Sequence, residues 1–221
     1  MKVTINVPTS LQEITLRQYQ EFVATDEPTA KDVFRIFLGI NEDAIDKIPA
    51  YQVETQAAHI ISLFEPEQGF IQKFTLNGKR YGFITNLDQI SYGENHDINK
   101  FMGDWKTMHL AMQVMYRPIT LEKGGKYLIE EYNHSEEEAE RMRSMPVSVV
   151  LGATVFFYNL LNELLICIPN FLQRELTKEQ LLTQVSLENG ESTTNSTRSL
   201  MEILDDLKRL QKLPYTLAST T

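Results

Sequence analysis

The side chains that most often bind metals or attack substrates are few and widely spaced in this sequence. The four histidines are His59, His96, His109 and His134, and the one cysteine is Cys167. No histidine lies three or four residues from another histidine or from the cysteine, and two ligands on one helix face need that spacing. The sequence therefore predicts no metal site. We interpret Cys167, within an apolar stretch, as a buried inert thiol.

The acidic and glycine motifs do not predict catalysis either. Glu130 and Glu131 are neighbours, and neighbouring positions of a strand point to opposite faces, so they would not share a site. Gly124-Gly125 is not followed by the Gly-Lys-Ser/Thr of a phosphate-binding loop, and no Gly-x-Ser-x-Gly elbow is present. We therefore expect a non-enzymatic protein without a cofactor.

Charge and composition narrow the classes of partner. The chain of 221 residues carries a formal net charge of −9 and has no basic run. Nucleic-acid binding needs clustered Lys and Arg, so no nucleic-acid partner is expected. The first ten residues contain no apolar signal-peptide region, and we expect no secretion by that route.

Several local patterns predict the first elements. Alternation over Lys2–Val7 indicates a strand. Thr15 and Thr29 are expected to cap two helices, and Gly39 to end the second. Asn77-Gly78 predicts a hairpin with strands near 71–76 and 79–84, because both positions of a type I′ turn need positive φ. Short helices are expected over 41–48 and from Pro49.

Further along the chain, Asp97 is interpreted as the cap of one helix that runs to Tyr116 and stops before Pro118. Ile119–Gly125 is expected to be a turn, followed at 126–132 by a short strand or an induced strand edge. A charged helix follows Ser135, with its acidic first turn at the positive end of the helix dipole.

The most apolar stretch, Met145–Leu172, predicts a long central helix. A membrane span is the alternative, because 147–168 is long enough and contains no Lys or Arg. Asn159, Asn162 and Glu163 give the helix a polar side, which favours a core helix and no membrane partner. Gly152 and Ala153 are its expected contact point with Met108–Met115.

Two segments are candidate partner-binding surfaces. The first is the methionine-rich helix with Met108, Met112 and Met115, since methionine packs adaptably at binding grooves; ordinary core packing is the alternative. The second is an amphipathic helix at 198–213, which docks either on this chain or on a partner. Its apolar stripe consists of Leu200, Ile203, Leu204, Leu207 and Leu210.

The sequence as a whole predicts a predominantly α-helical α+β fold: a helical core with a β-hairpin and a long apolar central helix. The core domain is expected at 1–185. A flexible linker rich in Ser, Thr, Asn and Gly follows at 186–197. The docking helix at 198–213 and a frayed tail at 214–221 complete the chain.

Three segments together carry a resemblance to a known group of proteins. They are LAMQVMYRPI (Leu110–Ile119), YLIEEY (Tyr127–Tyr132) and MPVSVVLGATVFFYNLLNELL (Met145–Leu165). The residue types of these segments, and the order of the segments along the chain, resemble those of the tail-assembly chaperones and virion-assembly proteins of tailed bacteriophages. The resemblance covers roughly residues 70–170.

The resemblance implies a helical, non-enzymatic virion-assembly protein. Its expected function is that of a tail-assembly chaperone that holds a hydrophobic segment of a partner. The alternative is a structural virion component, such as a connector, baseplate or internal cargo protein, with the same surface as a permanent interface. Other phage virion proteins are the expected partners, with homo-oligomerisation as an option. The expected location is the cytoplasm of the infected bacterial host, or the virion.

Overall fold

The computed structural model describes residues 5–160, with the side chain of Asp88 excepted. The chain divides into two units, Met1–Val155 and Phe156–Thr221. The fold described below is that of the first unit. The predicted domain end at 185, the linker, the docking helix and the frayed tail lie outside the described residues.

The first half of the unit is helical. Its helices are α1 (Leu16–Ala24), α2 (Ala30–Leu38), α3 (Glu42–Ile45) and α4 (Ala50–Ser62). Thr15 and Thr29 cap α1 and α2 through reciprocal capping boxes, and Gly39 ends α2 with φ +65°, so these three predictions are confirmed. The predicted strand at Lys2–Val7 is not formed by residues 5–7, and residues 2–4 are outside the described part.

The second half combines an antiparallel sheet with further helices. Its elements are β1 (Lys73–Leu76), β2 (Lys79–Phe83), α5 (Tyr92–Phe101), α6 (Met108–Met115), β3 (Tyr116–Lys123), β4 (Lys126–Ile129) and α7 (Glu136–Met142), with short 3₁₀ turns at Leu87–Gln89 and Trp105–Thr107. The strands lie in the order β1-β2-β3-β4. The hairpin at Asn77-Gly78 is confirmed, with φ +50° and +78° at its two turn residues.

The prediction for residues 97–125 was wrong. Ser91, not Asp97, caps α5, and Glu94 completes the capping box. The expected single helix is broken after Phe101, and Tyr116 already begins β3. The expected turn at Ile119–Gly125 is mostly strand, because Gly124 and Gly125 make a tighter two-residue turn with φ +59° and +78°.

The helical core forms between α2 and α4 and includes the first residue of the last described helix, α8 (residues 147–160). Its buried residues are Leu11, Ile14, Val33, Phe34, Ile36, Phe37, Ile45, Val53, Ala57, Ile60 and Val147. The Val147 N–H donates to the Ile14 carbonyl at 2.8 Å, and the Leu16 N–H donates to the Met145 carbonyl at 2.9 Å. These two bonds fix the start of α8 against the start of α1. The rest of the predicted helix Met145–Leu172 lies beyond the described residues.

Gly152 is a close-approach site, but not for the helix that was expected. A Cβ atom placed on Gly152 would overlap the carbonyl oxygen of Gly69 and would lie 3.0 Å from its carbonyl carbon. The Gly69–Phe70 backbone therefore occupies the space that was predicted for Met108–Met115. Because backbone cannot rotate away as a side chain can, only glycine fits at this position.

Replacing Gly152 with alanine is expected to lower the free energy of unfolding by about 1–3 kcal/mol, because the 69–70 backbone must move. Gly103→Ala is the matched control, since a Cβ at Gly103 meets no atom within 4 Å. Urea unfolding followed by circular dichroism measures both variants. Equal stability of the two alanine variants would contradict the close approach.

Candidate interaction surface

The methionines predicted to bind a partner lie in the core of the described unit. Met108, Met112 and Met115 are at most 2% exposed on α6. Their burial agrees with the core-packing alternative, and a partner would reach them only if this packing opened. Leu200, Ile203, Leu204, Leu207 and Leu210 lie outside the described residues, so their role stays a prediction.

An open apolar groove instead runs between the start of α2 and α4. Its first part has a volume of about 420 Å³. It is lined by Thr29, Ala30, Lys31, Ile45, Asp46, Ile48, Ala50, Val53 and Glu54. Ile45 and Val53 are almost fully buried and contribute apolar surface to this part.

The second part of the groove continues along α4 and has a volume of about 400 Å³. It is lined by Phe22, Pro28, Thr29, Ala30, Val33, Glu54, Ala57, Ala58 and Ile61. Thr29, Ala30 and Glu54 line both parts, so the two depressions adjoin. We call this continuous surface, with the residues of both parts, the α2–α4 groove.

Small side chains explain why a groove exists here. Ala30 begins α2, and Ala57 and Ala58 lie on the facing side of α4. An alanine places only a methyl group between two packed helices, whereas a larger residue would fill the space. Ala57 is buried and Ala58 is exposed, so these two neighbouring residues line the groove from its floor to the protein surface.

The charged residues of the α2–α4 groove lie around its apolar lining. The ammonium of Lys31 forms an ion pair with the carboxylate of Asp46, which raises the pKa of Lys31. Glu54 is exposed and lines both parts of the groove. The groove thus suits an apolar segment that carries a basic side chain next to Glu54.

A separate polar cavity of about 200 Å³ lies beside β3 and the segment that follows β4. Gln113 donates from Nε2 to the Ser135 carbonyl at 2.8 Å. The buried Gln113 Oε1 and Arg117 Nε have no hydrogen-bond partner in the described part of the chain. Two residues that line the cavity thus carry an unpaired polar atom: Gln113 has an acceptor and Arg117 has a donor.

The tyrosines near this cavity are hydrogen-bond donors at neutral pH. The Tyr81 hydroxyl donates to Glu138 at 2.6 Å, and burial together with this carboxylate raises the pKa of Tyr81 to about 12. The Tyr132 hydroxyl donates to Asp97 at 2.7 Å, and burial together with Asp97 raises the pKa of Tyr132. Both phenols therefore tie elements together rather than act as bases.

The chain was compared with protein-family models, with curated proteins and with solved structures. No match was found. The α2–α4 groove is the candidate site because of its geometry.

Two further findings concern metals and membranes. Among residues 5–160, no three His, Cys, Asp or Glu side chains are grouped so that they could hold a metal ion. Over the same residues, none of the helices combines the length and the apolar character needed to cross a bilayer.

Three alanines are the sequence feature that corresponds to the groove. Ala30 lies on α2 and Ala57 and Ala58 lie on α4, and small residues leave space between packed helices. Whether that space is filled depends on how α2 and α4 pack. This packing is a tertiary property, and a single helix pattern does not contain it.

Proposed function

We propose that this chain is a non-enzymatic virion-assembly protein that holds an apolar segment of another virion protein in the α2–α4 groove. The observation that carries the proposal is the continuous apolar groove, whose two parts measure about 420 and 400 Å³. Pockets of this size accept several apolar side chains. The resemblance of three segments within roughly residues 70–170 to tail-assembly and virion-assembly proteins supports the viral setting.

The proposed partner is an amphipathic helix or an extended apolar segment with a Lys or Arg next to Glu54. Binding would transfer the exposed apolar surface of Ile61 and its neighbours out of water, which is the main favourable contribution to such association. The charged residues around the groove would select the direction of the bound segment. The complex would form in the cytoplasm of the infected host.

A structural virion component is the second candidate function. It is favoured by the edge strand β4, which carries the exposed Leu128 beside Leu121 of β3. A chaperone leaves before the particle is complete, whereas a structural component stays. Mass spectrometry of purified particles decides between the two functions. Absence of this protein at a stoichiometric level favours the chaperone, and a fixed number of copies per particle favours the structural component.

Ala58→Arg is expected to weaken partner binding about tenfold or more, because a long charged side chain would occupy the groove. Its effect on stability should stay within about 0.5 kcal/mol, since Ala58 is exposed and arginine is a good helix former. Binding is measured by retention of each co-expressed virion protein of the same genome on the immobilised chain.

His59→Arg is the matched control. His59 is the next residue of α4, is exposed, and does not line the groove. The control should retain the partner as well as the unchanged protein does. If both arginine variants retain it equally, the partner does not bind in the α2–α4 groove.

A further inference from the structure

The outer edge of β4 is not paired with another strand in the described part of the chain, because β4 is last in the order β1-β2-β3-β4. Lys126 pairs with Lys123 next to the two-residue turn, and Glu130 donates its N–H to the Pro118 carbonyl at 2.9 Å. Backbone groups of alternate residues in a strand point to opposite sides. The N–H and C=O groups of Tyr127 and Ile129 therefore point outward.

This edge lies beside an exposed apolar pair. Leu121 and Leu128 are opposite each other across β3 and β4, and each is 59% exposed. Cross-strand partners lie on the same face, and so do Lys126 and Glu130, two residues on either side of Leu128. One face of the edge therefore carries a basic, an apolar and an acidic side chain in turn, from Lys126 through Leu128 to Glu130.

Tyr127 holds the hairpin in place on the opposite face. Its hydroxyl donates to the Phe83 carbonyl at 2.7 Å. Its ring covers Gly82, where a Cβ would lie 2.8 Å from the Tyr127 Cδ2. The edge strand is therefore preformed and does not have to fold before it binds.

We propose that β4 pairs antiparallel with β4 of a second copy of this chain, with Leu128 opposite itself on the twofold axis. Lys126 then faces Glu130 of the partner subunit, and the symmetry repeats this ion pair. The outward N–H and C=O groups of Tyr127 form hydrogen bonds with those of Ile129 of the partner subunit. The two four-stranded sheets become one sheet of eight strands. This interface does not depend on the proposed groove function.

The charge pattern selects this register. Moving the axis by one residue places Lys126 opposite Leu128 or Leu128 opposite Glu130, and both ion pairs are lost. Moving it by two places Lys126 opposite Lys126 or Glu130 opposite Glu130, which are like-charge pairs and unfavourable. The existing contact of Glu130 with Lys79, at 3.6 Å between half-exposed side chains, leaves Glu130 accessible.

A cysteine pair tests the geometry. In a Cys167→Ser background, Leu128→Cys should form a disulfide-linked dimer, because directly opposite residues of a non-hydrogen-bonded pair have Cα atoms about 4.5 Å apart. Leu121→Cys is the matched control, since Leu121 is equally exposed but lies one strand farther from the axis. Non-reducing electrophoresis after mild oxidation measures both. Equal cross-linking, or none at Leu128→Cys, overturns the proposal.

A charge exchange tests the register in solution. Lys126→Glu and Glu130→Lys should each weaken self-association about tenfold or more, measured by sedimentation velocity. A mixture of the two variants should recover it, because each acidic pair then meets a basic pair. An unchanged protein that is monomeric at about 100 µM, or a mixture that associates no better than either variant alone, overturns the proposal.

Discussion

Replacing Arg117 with methionine is expected to lower the free energy of unfolding by about 3–5 kcal/mol. The side chain of Arg117 on β3 is 13% exposed and that of Glu94 on α5 is 9% exposed, and their charged groups are 2.8 Å apart. Glu94 also accepts the Ser91 N–H at 2.6 Å in the capping box of α5. Loss of Arg117 would leave a buried carboxylate without its cation.

The double variant Glu94→Gln with Arg117→Met is the control. Glutamine can still cap α5 through its side-chain oxygen, and no buried charge remains. The double variant should therefore be clearly more stable than Arg117→Met alone, and chemical denaturation of the complete double-mutant cycle measures the difference. A loss below about 1 kcal/mol for Arg117→Met would mean that the pair is solvated.

Replacing Met112 with alanine is expected to lower the free energy of unfolding by about 2–5 kcal/mol, because a fully buried side chain leaves a cavity. Met112 is 0% exposed in the middle of α6. The variant also decides between the two interpretations of the methionine-rich helix. A core residue contributes to stability in the isolated protein, whereas a residue of an open binding surface contributes mainly when the partner is present.

Met112→Leu conserves the volume of the side chain and should cost less than about 1.5 kcal/mol. Thermal and urea unfolding of the purified variants measure the two effects. If Met112→Ala were as stable as Met112→Leu, the methionine would not be packed in the core. That result would favour the interpretation in which Met108, Met112 and Met115 bind a partner.

The elements that could be predicted are those set by short-range chemistry. Thr15 and Thr29 satisfy backbone N–H groups within their own first helical turns, so their sequence alone locates both helix starts. Asn77-Gly78 permits the two positive φ angles of a tight hairpin and fixes its register. None of these features needs a distant partner.

The region from Asp97 to Gly125 was mispredicted because tertiary pairing decides it. A proline usually ends regular structure, but Pro118 lies within β3 and is opposite Tyr81 of β2. Its carbonyl oxygen accepts the Glu130 N–H. Gly124-Gly125 can form a two-residue hairpin turn as Asn77-Gly78 does, whereas the sequence pattern predicted a broader turn over Ile119–Gly125. β3 and β4 therefore extend the predicted hairpin into a four-stranded sheet.

The candidate site was less predictable than the fold. A binding groove is a space between elements, and the sequence records only which residues are small or apolar. Ala57 and Ala58 predict a thin part of α4, but the depth beside them follows from the packing of α2. The methionines of α6 are a second case, because methionine packs well both at binding grooves and in a core, so the residue type alone does not distinguish the two.

Photo-cross-linking from inside the α2–α4 groove shows whether a virion protein binds there. A photoreactive amino acid replaces Ile61, which lines the groove and is 38% exposed, in cells that produce the virion proteins of the same genome. We expect a cross-link to an apolar segment of one virion protein, lost with Ala58→Arg and kept with His59→Arg. A cross-link that survives Ala58→Arg, or the absence of a cross-link to any virion protein, would mean that the α2–α4 groove does not hold a virion segment.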